Sequence, residues 1–223
     1  RSCLVGSEMC IRDRCEVVMA ERYDYVIVGA GSAGCVLANR LSENPANKVC
    51  LLEAGPADWN PLIHIPAGFV KTLKDPSVNW LFETEPSWGT NGRSIAAPRG
   101  KTLGGSSSIN GLVFNRGQSM DFDTWAQRGN QGWGYADILP YFKRYETRLG
   151  NGSPVYRGQA GEQVITDLEW RHPLCDAFIQ AATDMGIPLN EDYNGVIQEG
   201  ISYVQRTSKG RLRHSAAKSF LNP

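Results

Sequence analysis

The strongest constraint on the fold is a glycine-rich turn that follows a short apolar run near the start of the chain. Residues 25–28 read Tyr-Val-Ile-Val, and glycines follow at positions 29, 31 and 34. A G-x-G-x-x-G spacing directly after a strand is typical of the first βα turn of a dinucleotide-binding unit. We therefore predict a strand, a tight turn and a helix over residues 32–41.

Each glycine of this turn has its own physical reason. Gly29 permits the sharp turn out of the strand, because glycine adopts the required backbone conformation without strain. Gly31 has no side chain to hold a pyrophosphate away from the backbone, and Gly34 lets the helix pack against the strand. The N–H groups at Ser32 and Ala33 open the helix and favour a phosphate charge. The turn is predicted to bind pyrophosphate.

A second apolar segment, residues 48–53, is predicted to be the next strand and ends on Glu53, which Ala54 follows. A carboxylate about 20 residues beyond the glycines accepts hydrogen bonds from the ribose hydroxyls in such units. An acid at this position argues against a 2′-phosphate, which leaves NAD or FAD. A glycine-rich turn without a ligand is the alternative, and the strand–turn–helix–strand context disfavours it.

Residues 99–117 form a second segment rich in glycine and serine. Its glycine pair at 104–105 allows close approach of the backbone to a ligand, and its serines at 106–108 offer hydroxyl donors without bulk. A flexible linker is the alternative, but apolar residues bracket the serines within a few positions. The apolar residues expected to face inward are Ile109, Leu112 and Val113.

These residues resemble the signature of the glucose-methanol-choline (GMC) family of flavin oxidoreductases, in particular its bacterial choline-dehydrogenase-like branch. The resemblance covers nearly all of the chain after Met19. It implies an α/β fold, with a Rossmann-like FAD-binding domain and the beginning of an α+β substrate domain. It also implies oxidation of an alcohol by hydride transfer to flavin N5. The matching segments are residues 23–55, 79–80, 84–86, 98–117, 121–125, 132–133, 139–142, 192–195 and 210–223.

The resemblance also implies a set of FAD contacts. It places the turn at residues 29–34 on the pyrophosphate and Glu53 on the ribose. Residues 102–107 would follow the pyrophosphate and ribityl chain, and residues 110–113 would lie beside the isoalloxazine ring. The predicted cofactor-binding residues are Gly29, Gly31, Ser32, Ala33, Gly34, Glu53, Ala54, Thr102, Gly104, Gly105, Ser106, Ser107, Asn110, Gly111, Leu112 and Val113.

One departure from the family pattern concerns how FAD is attached. Some relatives bond FAD covalently through a histidine just before the asparagine that matches Asn110, and this chain has Ile109 there. FAD is therefore expected to be non-covalent. The histidines present are His64, His172 and His214, and none shows an acid–base partner in the sequence. They are expected to be packing or capping residues, so no catalytic residue is predicted in this chain.

The composition excludes several partner classes. The 23 Lys and Arg balance the 23 Asp and Glu, so no basic surplus points to nucleic acid. No apolar stretch approaches the roughly 18 residues of a transmembrane helix. The six cysteines form no C-x-x-C pair, which argues against a metal site and against a disulfide framework. This cysteine usage favours a cytoplasmic location, and peripheral association with a membrane stays open. The expected partners are an alcohol and an electron acceptor such as quinone or oxygen.

The two ends of the chain differ from its middle. Residues 1–18 lack helical or strand periodicity, and residues 3–14 resemble the translation of a transposase adaptor used in preparing sequencing libraries. We predict that residues 1–18 are a non-native leader. The chain stops at Pro223, just after residues 215–221, which read as the opening of a helix. Residues 19–223 are therefore expected to be the N-terminal part of a GMC enzyme, inactive alone, with its catalytic histidine downstream of Pro223.

Further helices are predicted over residues 121–128, 137–146 and 173–185. The last of these has apolar residues at helical spacing that are expected to face the core: Leu174, Ala177, Phe178, Ala181 and Met185. Other functions stay open at this point. They are a flavin lyase or fatty-acid photodecarboxylase with the same fold, an NAD-binding module, and a non-catalytic flavin-binding protein. An NAD-binding module gives no reason for the motif at residues 103–116.

Overall fold

The structure, a computed structural model that describes residues 21–221, begins with the predicted strand–turn–helix–strand unit. Strand β1 spans Tyr25–Val28, helix α1 spans Ser32–Ser42 and strand β2 spans Val49–Leu52. The two strands are parallel and pair over their whole length. The three predicted elements are confirmed to within one residue at each end.

Two predictions made from the ends of the sequence fall outside the described residues. The predicted leader, residues 1–18, precedes the described range. Pro223 follows it, and the prediction that the catalytic histidine lies downstream of Pro223 concerns sequence beyond this chain. Both stay predictions.

The chain between β2 and the second glycine-rich segment consists of short elements. Two of them are antiparallel strands of two residues each, and the others are single helical turns. In chain order they are α2 (Pro61–His64), a 3-10 turn (Pro66–Gly68), α3 (Phe69–Thr72), β3 (Phe82–Glu83), a 3-10 turn (Trp88–Thr90) and β4 (Ala96–Ala97). The second glycine-rich segment itself contains a 3-10 turn (Gly105–Ser108).

The second half of the described chain is mixed α+β. Strands β5 and β6 form a parallel pair, and β7 and β8 form an antiparallel pair. The helices predicted over residues 121–128, 137–146 and 173–185 are confirmed within two residues at each end. The elements are α4 (Ser119–Gln127), α5 (Tyr135–Tyr145), β5 (Glu146–Leu149), β6 (Gln163–Thr166), α6 (Pro173–Asp184), β7 (Ser208–Lys209), β8 (Leu212–Arg213) and a π-helical turn (Ala217–Leu221).

Helix α1 packs against the π-helical turn at the other end of the described chain. Cys35 on α1 is fully buried in one apolar cluster with Ala30, Ala216 and Phe220. The side-chain amide of Asn39 donates a hydrogen bond to the Phe220 carbonyl at 2.9 Å. The core of the first βαβ unit is therefore completed by residues from the far end of the sequence.

A buried ionic network joins four segments of the second half. Glu146 is fully buried and accepts hydrogen bonds from Arg116 at 2.5 Å and from Arg157 at 2.7 Å. Arg157 also pairs with Asp192. Because charges removed from water are costly unless they are paired and hydrogen-bonded, this network tolerates little change in any member.

Helix α6 forms as predicted, but its apolar stripe does not face the core. Leu174, Phe178 and Met185 are 75%, 69% and 83% exposed, whereas the buried position of the helix is Ala182. Helical spacing shows which residues share a face, but it does not show what covers that face. The prediction that this stripe is core is wrong for the part of the chain that the structure describes.

Candidate functional site

The glycine turn forms a cradle of backbone at the carboxyl end of β1. Gly29 has φ +95°, in the left-handed region that favours glycine. A Cβ built on Gly34 would lie 1.9 Å from the Gly29 carbonyl oxygen, so only glycine lets α1 begin this close to the strand. A Cβ built on Gly31 would meet nothing within 4 Å. The space over Gly31 is open.

The open space over Gly31 lies at the start of α1. Gly31 is the N-cap residue and has no side chain that could accept a hydrogen bond from the first turn. The first N–H groups of an α-helix have no acceptor within the helix, and they carry the positive end of its dipole. A phosphate group over Gly31 would satisfy the N–H groups that begin at Ser32.

Glu53 connects the glycine turn to the loop after β2. Its Oε2 accepts a hydrogen bond from the Ala30 N–H at 2.7 Å, and its Oε1 accepts one from the Gly55 N–H at 2.9 Å. A carboxylate has about four acceptor positions, so each oxygen still has room for a further donor. Glu53 thus holds the turn in place and remains able to accept hydrogen bonds from a ligand.

One groove of about 660 Å³ brings the two glycine-rich segments together. Among its lining residues are several of those predicted from the sequence: Gly29, Gly31, Ser32, Glu53, Ala54, Gly105 and Ser106. Its other lining residues, which were not among the cofactor contacts predicted from the sequence, are Val28, Leu52, Trp80, Arg99 and Gly100. The place of Val28 and Leu52 in the groove could be predicted from the sequence, because ligands of parallel sheets bind at the carboxyl ends of the strands.

The glycines of the second segment serve contacts within the chain. A Cβ on Gly105 would lie 2.7 Å from the Gly31 Cα atom, and a Cβ on Gly104 would lie 2.3 Å from the Ser108 hydroxyl oxygen. The Gly104 N–H also donates a hydrogen bond to the Ala30 carbonyl at 2.7 Å. Glycine at position 105 is thus needed so that two chain segments can touch, and the close approach of this pair to a ligand stays a prediction.

The hydroxyl groups of the second segment are mostly used within the chain. Ser107 and Ser108 donate hydrogen bonds to backbone carbonyl oxygens at 2.6 Å, and the fully buried Thr102 does so at 2.8 Å. Ser106 accepts a hydrogen bond from the Gly100 N–H at 3.1 Å and lines the groove. Of these four hydroxyls, that of Ser106 is the one that lines the groove.

Residues 110–113 form a turn beyond the groove. Leu112 is buried with φ +65°, while Asn110 and Gly111 are exposed. Val113 is 56% exposed, so the expectation that it faces inward is wrong. The same expectation is confirmed for Leu112 and for Ile109, which is 1% exposed and packs in an apolar cluster.

The three histidines make structural contacts. His172 caps α6, because its Nδ1 accepts a hydrogen bond from the Leu174 N–H at 3.2 Å. His64 Nε2 lies 2.6 Å from a backbone carbonyl oxygen. Burial, and secondarily the charge of Lys209, lowers the pKa of His214, whose Nδ1 accepts a hydrogen bond from a backbone N–H at 3.2 Å. These contacts agree with the packing and capping roles that the sequence favoured.

Two kinds of feature are absent from residues 21–221. No three His, Cys, Asp or Glu side chains in this range are grouped as a metal ion would require. No helix in the same range is long and apolar enough to cross a membrane.

Comparison with known proteins identifies the family. Residues 23–223 match the family described as GMC oxidoreductase. The chain belongs to the GMC oxidoreductase family. An alcohol dehydrogenase [acceptor] of Pseudomonas putida is 48% identical to this GMC chain over 200 residues, covering 90% of the chain and 36% of the relative. An oxygen-dependent choline dehydrogenase of Rhizobium johnstonii is 45% identical over 200 residues, with the same shares covered.

The fold of this GMC chain is also found in solved structures. The crystal structure of pyridoxine 4-oxidase from Mesorbium loti matches with a TM-score of 0.85 and 35% identity, over 90% of this chain and 39% of that one. The predicted α/β fold is therefore confirmed. The chain spans about 36% of the length of the curated relatives described above.

Membership of this flavin oxidoreductase family implies FAD as the cofactor and decides against a separate NAD-binding module. The residues present fit that group. The space over Gly31 is open, the first turn of α1 offers free N–H groups, and Glu53 keeps acceptor positions beside them.

Proposed function

We propose that the protein to which this chain belongs oxidises the CH–OH group of an alcohol with FAD, and that the groove holds the adenosine diphosphate part of FAD. The open space over Gly31, at the N-terminus of α1, is the observation that carries the proposal. Two similar enzymes, which are named as an alcohol dehydrogenase and a choline dehydrogenase, support the proposal.

Different residues of the groove are proposed to bind different parts of FAD. The N–H groups that begin at Ser32 and Ala33 bind the pyrophosphate, because they lie at the positive end of α1. Glu53 accepts hydrogen bonds from the ribose hydroxyls through the acceptor positions that Ala30 and Gly55 leave free. Ser106 offers its hydroxyl proton to the same ligand.

Other predicted cofactor residues act by shaping the groove. Gly34 and Ser107 make contacts within their own segments, and Thr102 donates to the Pro56 carbonyl. The Gly104 N–H joins the two glycine-rich segments through the Ala30 carbonyl. The turn at residues 110–113 is proposed to lie beside the isoalloxazine ring, as the family resemblance implies. Bound FAD supplies the acceptor for the hydride of the alcohol, while this chain binds and orients it.

FAD is proposed to be non-covalent, because Ile109 occupies the position of the histidine that some relatives use for attachment. Ile109 lies in a dry apolar cluster with Ile63 and Val78, and its side chain has no group that bonds to flavin. The catalytic base is proposed to lie downstream of Pro223, because this chain covers about 36% of the length of its relatives. Residues 19–223 are accordingly proposed to be the N-terminal part of the enzyme.

The electron acceptor is proposed to be quinone, oxygen or another oxidant; the name of one similar enzyme includes oxygen, and that of the other an unspecified acceptor. A cytoplasmic location is proposed from cysteine usage. Cys35, Cys50 and Cys175 are all free thiols, which suits a reducing compartment.

The test is an anaerobic reduction of the complete enzyme. The protein encoded by the full reading frame is purified, its flavin content is measured by absorbance, and it is mixed with choline and with a series of primary alcohols. Loss of the oxidised flavin absorbance on mixing with an alcohol supports the proposal. Purification without flavin would overturn it. So would flavin that no alcohol reduces, combined with light-driven release of carbon dioxide from a fatty acid.

A further inference from the structure

Arg213, the last residue of β8, is a buried cation whose partners are neutral. It is 3% exposed, and its Nε donates a hydrogen bond to the Ile63 carbonyl at 2.7 Å. Its Nη1 donates one to the Ser107 carbonyl at 3.0 Å. Within residues 21–221, none of the ion pairs includes Arg213. The other buried arginines of this range all have a carboxylate partner: Arg116 and Arg157 share that of Glu146, and Arg148 pairs with Asp167.

The remaining contacts of the Arg213 guanidinium all go to Asn110. Nη1 donates a hydrogen bond to the side-chain Oδ1 at 2.8 Å, and Nη2 donates one to the backbone carbonyl at 2.7 Å. The planar fork of arginine makes such paired contacts, whereas a lysine ammonium presents its donors from one point. Arg213 therefore fixes both the side chain and the main chain of Asn110.

The turn that Arg213 holds is strained. Asn110 Oδ1 also accepts a hydrogen bond from the Leu112 N–H at 3.1 Å, and Leu112 has φ +65°, which a bulky residue rarely adopts. On its other side the Leu112 carbonyl accepts a hydrogen bond from the Thr207 N–H at 3.0 Å. Strained backbone persists only where the surroundings fix it, and it is concentrated at ligand sites.

The charge of Arg213 is retained in spite of its burial. Burial, with a smaller contribution from the charge of Arg206, lowers the pKa of Arg213 to about 10, so the guanidinium stays protonated at neutral pH. A buried charge without a counter-charge is unfavourable. A ligand that carries negative charge near this turn would offset that cost.

We propose that Arg213 is a positioning residue of the flavin site, which fixes the turn at residues 110–112 and places one unneutralised positive charge behind it. The inference rests on the proposed function, in which this turn lies beside the flavin ring. Reduction of flavin by two electrons with uptake of one proton adds one negative charge. A fixed cation close to the ring then stabilises the reduced form more than the oxidised form.

The test uses the full-length enzyme with bound FAD and three variants. Arg213→Met removes the charge and the paired contacts, and Arg213→Lys keeps the charge alone. Arg148→Met is the control, because Arg148 is also buried and also donates to backbone carbonyls, at 3.0 and 3.1 Å, but it pairs in addition with Asp167 and makes no hydrogen bond to residues 110–112. The readouts are the flavin reduction potential, the visible flavin spectrum and the dissociation constant of oxidised FAD.

We expect Arg213→Met to weaken binding of reduced relative to oxidised flavin at least tenfold, a fall in potential of about 30 mV for a two-electron couple. Arg213→Lys should have a flavin reduction potential close to that of the wild type, because the charge remains. It should show an altered flavin spectrum and weaker FAD binding, because the paired contacts are lost. Arg148→Met should retain the wild-type potential and spectrum.

Two outcomes separate this inference from the proposed function. Wild-type enzyme that binds no flavin would overturn the proposed function, whereas flavin-loaded wild type with an unchanged potential in Arg213→Met would overturn the inference alone. If Arg213→Met does not fold, Asn110→Asp takes its place, since a carboxylate keeps the acceptor for Arg213 and neutralises its charge. Asn110→Asp should also lower the potential, and an unchanged value would contradict the role of Arg213.

Discussion

Gly105 lies against Gly31, so that a Cβ built on Gly105 would fall 2.7 Å from the Gly31 Cα atom. A Cβ on Gly31 itself would meet nothing within 4 Å, because it would point into the open space of the groove. The two glycines are thus required for different reasons. Gly105 allows two chain segments to touch, and Gly31 leaves open the space in which we propose that the cofactor binds.

Gly31→Val is expected to abolish FAD binding while the protein still folds. The added methyl groups would occupy the space in which we place the pyrophosphate, and the new Cβ atom would meet no protein atom within 4 Å. Flavin absorbance per protein and the thermal midpoint of the full-length enzyme are the measurements. Full flavin content in the variant would show that the turn is not the cofactor site.

Gly105→Ala is expected to lower the free energy of unfolding by about 1–3 kcal/mol, the usual cost of overpacking. Its Cβ would collide with backbone, and its φ of +53° disfavours any side chain. Gly129→Ala is the matched control, because φ is +99° there but a Cβ meets nothing within 4 Å. The control should lose only about 1 kcal/mol in urea unfolding. Equal losses in both variants would exclude the contact as the cause.

Sequence spacing was enough to predict the first βαβ unit, because each of its glycines has a local reason. Gly29 needs a positive φ and Gly34 must lie against the preceding turn, and both demands arise within six residues. The contact of Gly105 with Gly31 is not local. Nothing in the order of residues shows which distant segment touches the turn, so the sequence predicts a role of the glycine pair toward a ligand but not this contact.

Glu53→Gln is expected to weaken FAD binding by about 1–2 kcal/mol, because the ribose loses a charge-assisted hydrogen bond. The carboxylate now accepts hydrogen bonds from the Ala30 and Gly55 N–H groups, and the glutamine amide would place its own N–H group opposite one of these two donors. Titration of apo-enzyme with FAD measures the effect, with the exposed Glu83→Gln as control. An FAD dissociation constant equal to that of the control would remove Glu53 from the site.

Acid precipitation of the full-length enzyme is expected to release all of its flavin into the supernatant. Ile109 replaces the histidine of the covalent relatives, and its side chain is buried among apolar residues. The measurement is flavin absorbance in the supernatant and in the washed pellet. Flavin that stays with the pellet would mean covalent attachment through another residue.

Glu146→Ala is expected to lower the free energy of unfolding by about 3–5 kcal/mol, because the buried Arg116 loses its carboxylate and Arg157 keeps only that of Asp192. Glu43→Ala is the control, since Glu43 pairs with Arg40 at the surface and an exposed pair contributes at most about 1 kcal/mol. Chemical unfolding of both variants gives the comparison. A loss in Glu146→Ala no larger than in the control would contradict the role of the network.

Helix α6 shows where sequence reasoning ends. The sequence predicts where α6 begins and ends, because Pro173, Gly186 and the apolar spacing act on the local backbone. Whether Leu174 and Phe178 are buried depends on what packs against them, and in the described residues they are exposed. Val113 is a similar case. It follows Leu112, whose φ is positive, and the backbone of this strained turn, not the apolar pattern of the sequence, determines that Val113 is exposed.

The hydrogen bond from Asn39 to the Phe220 carbonyl joins residues that are 181 positions apart. Ribosomes add about 5–20 residues per second, so α1 leaves the ribosome roughly 10–40 s before the segment that covers it. During that interval the apolar side of α1 around Cys35 lacks Ala216 and Phe220, its later neighbours. Helix α1 is therefore translated before the segment that completes its packing, and we expect the nascent chain to engage chaperones until that segment has emerged.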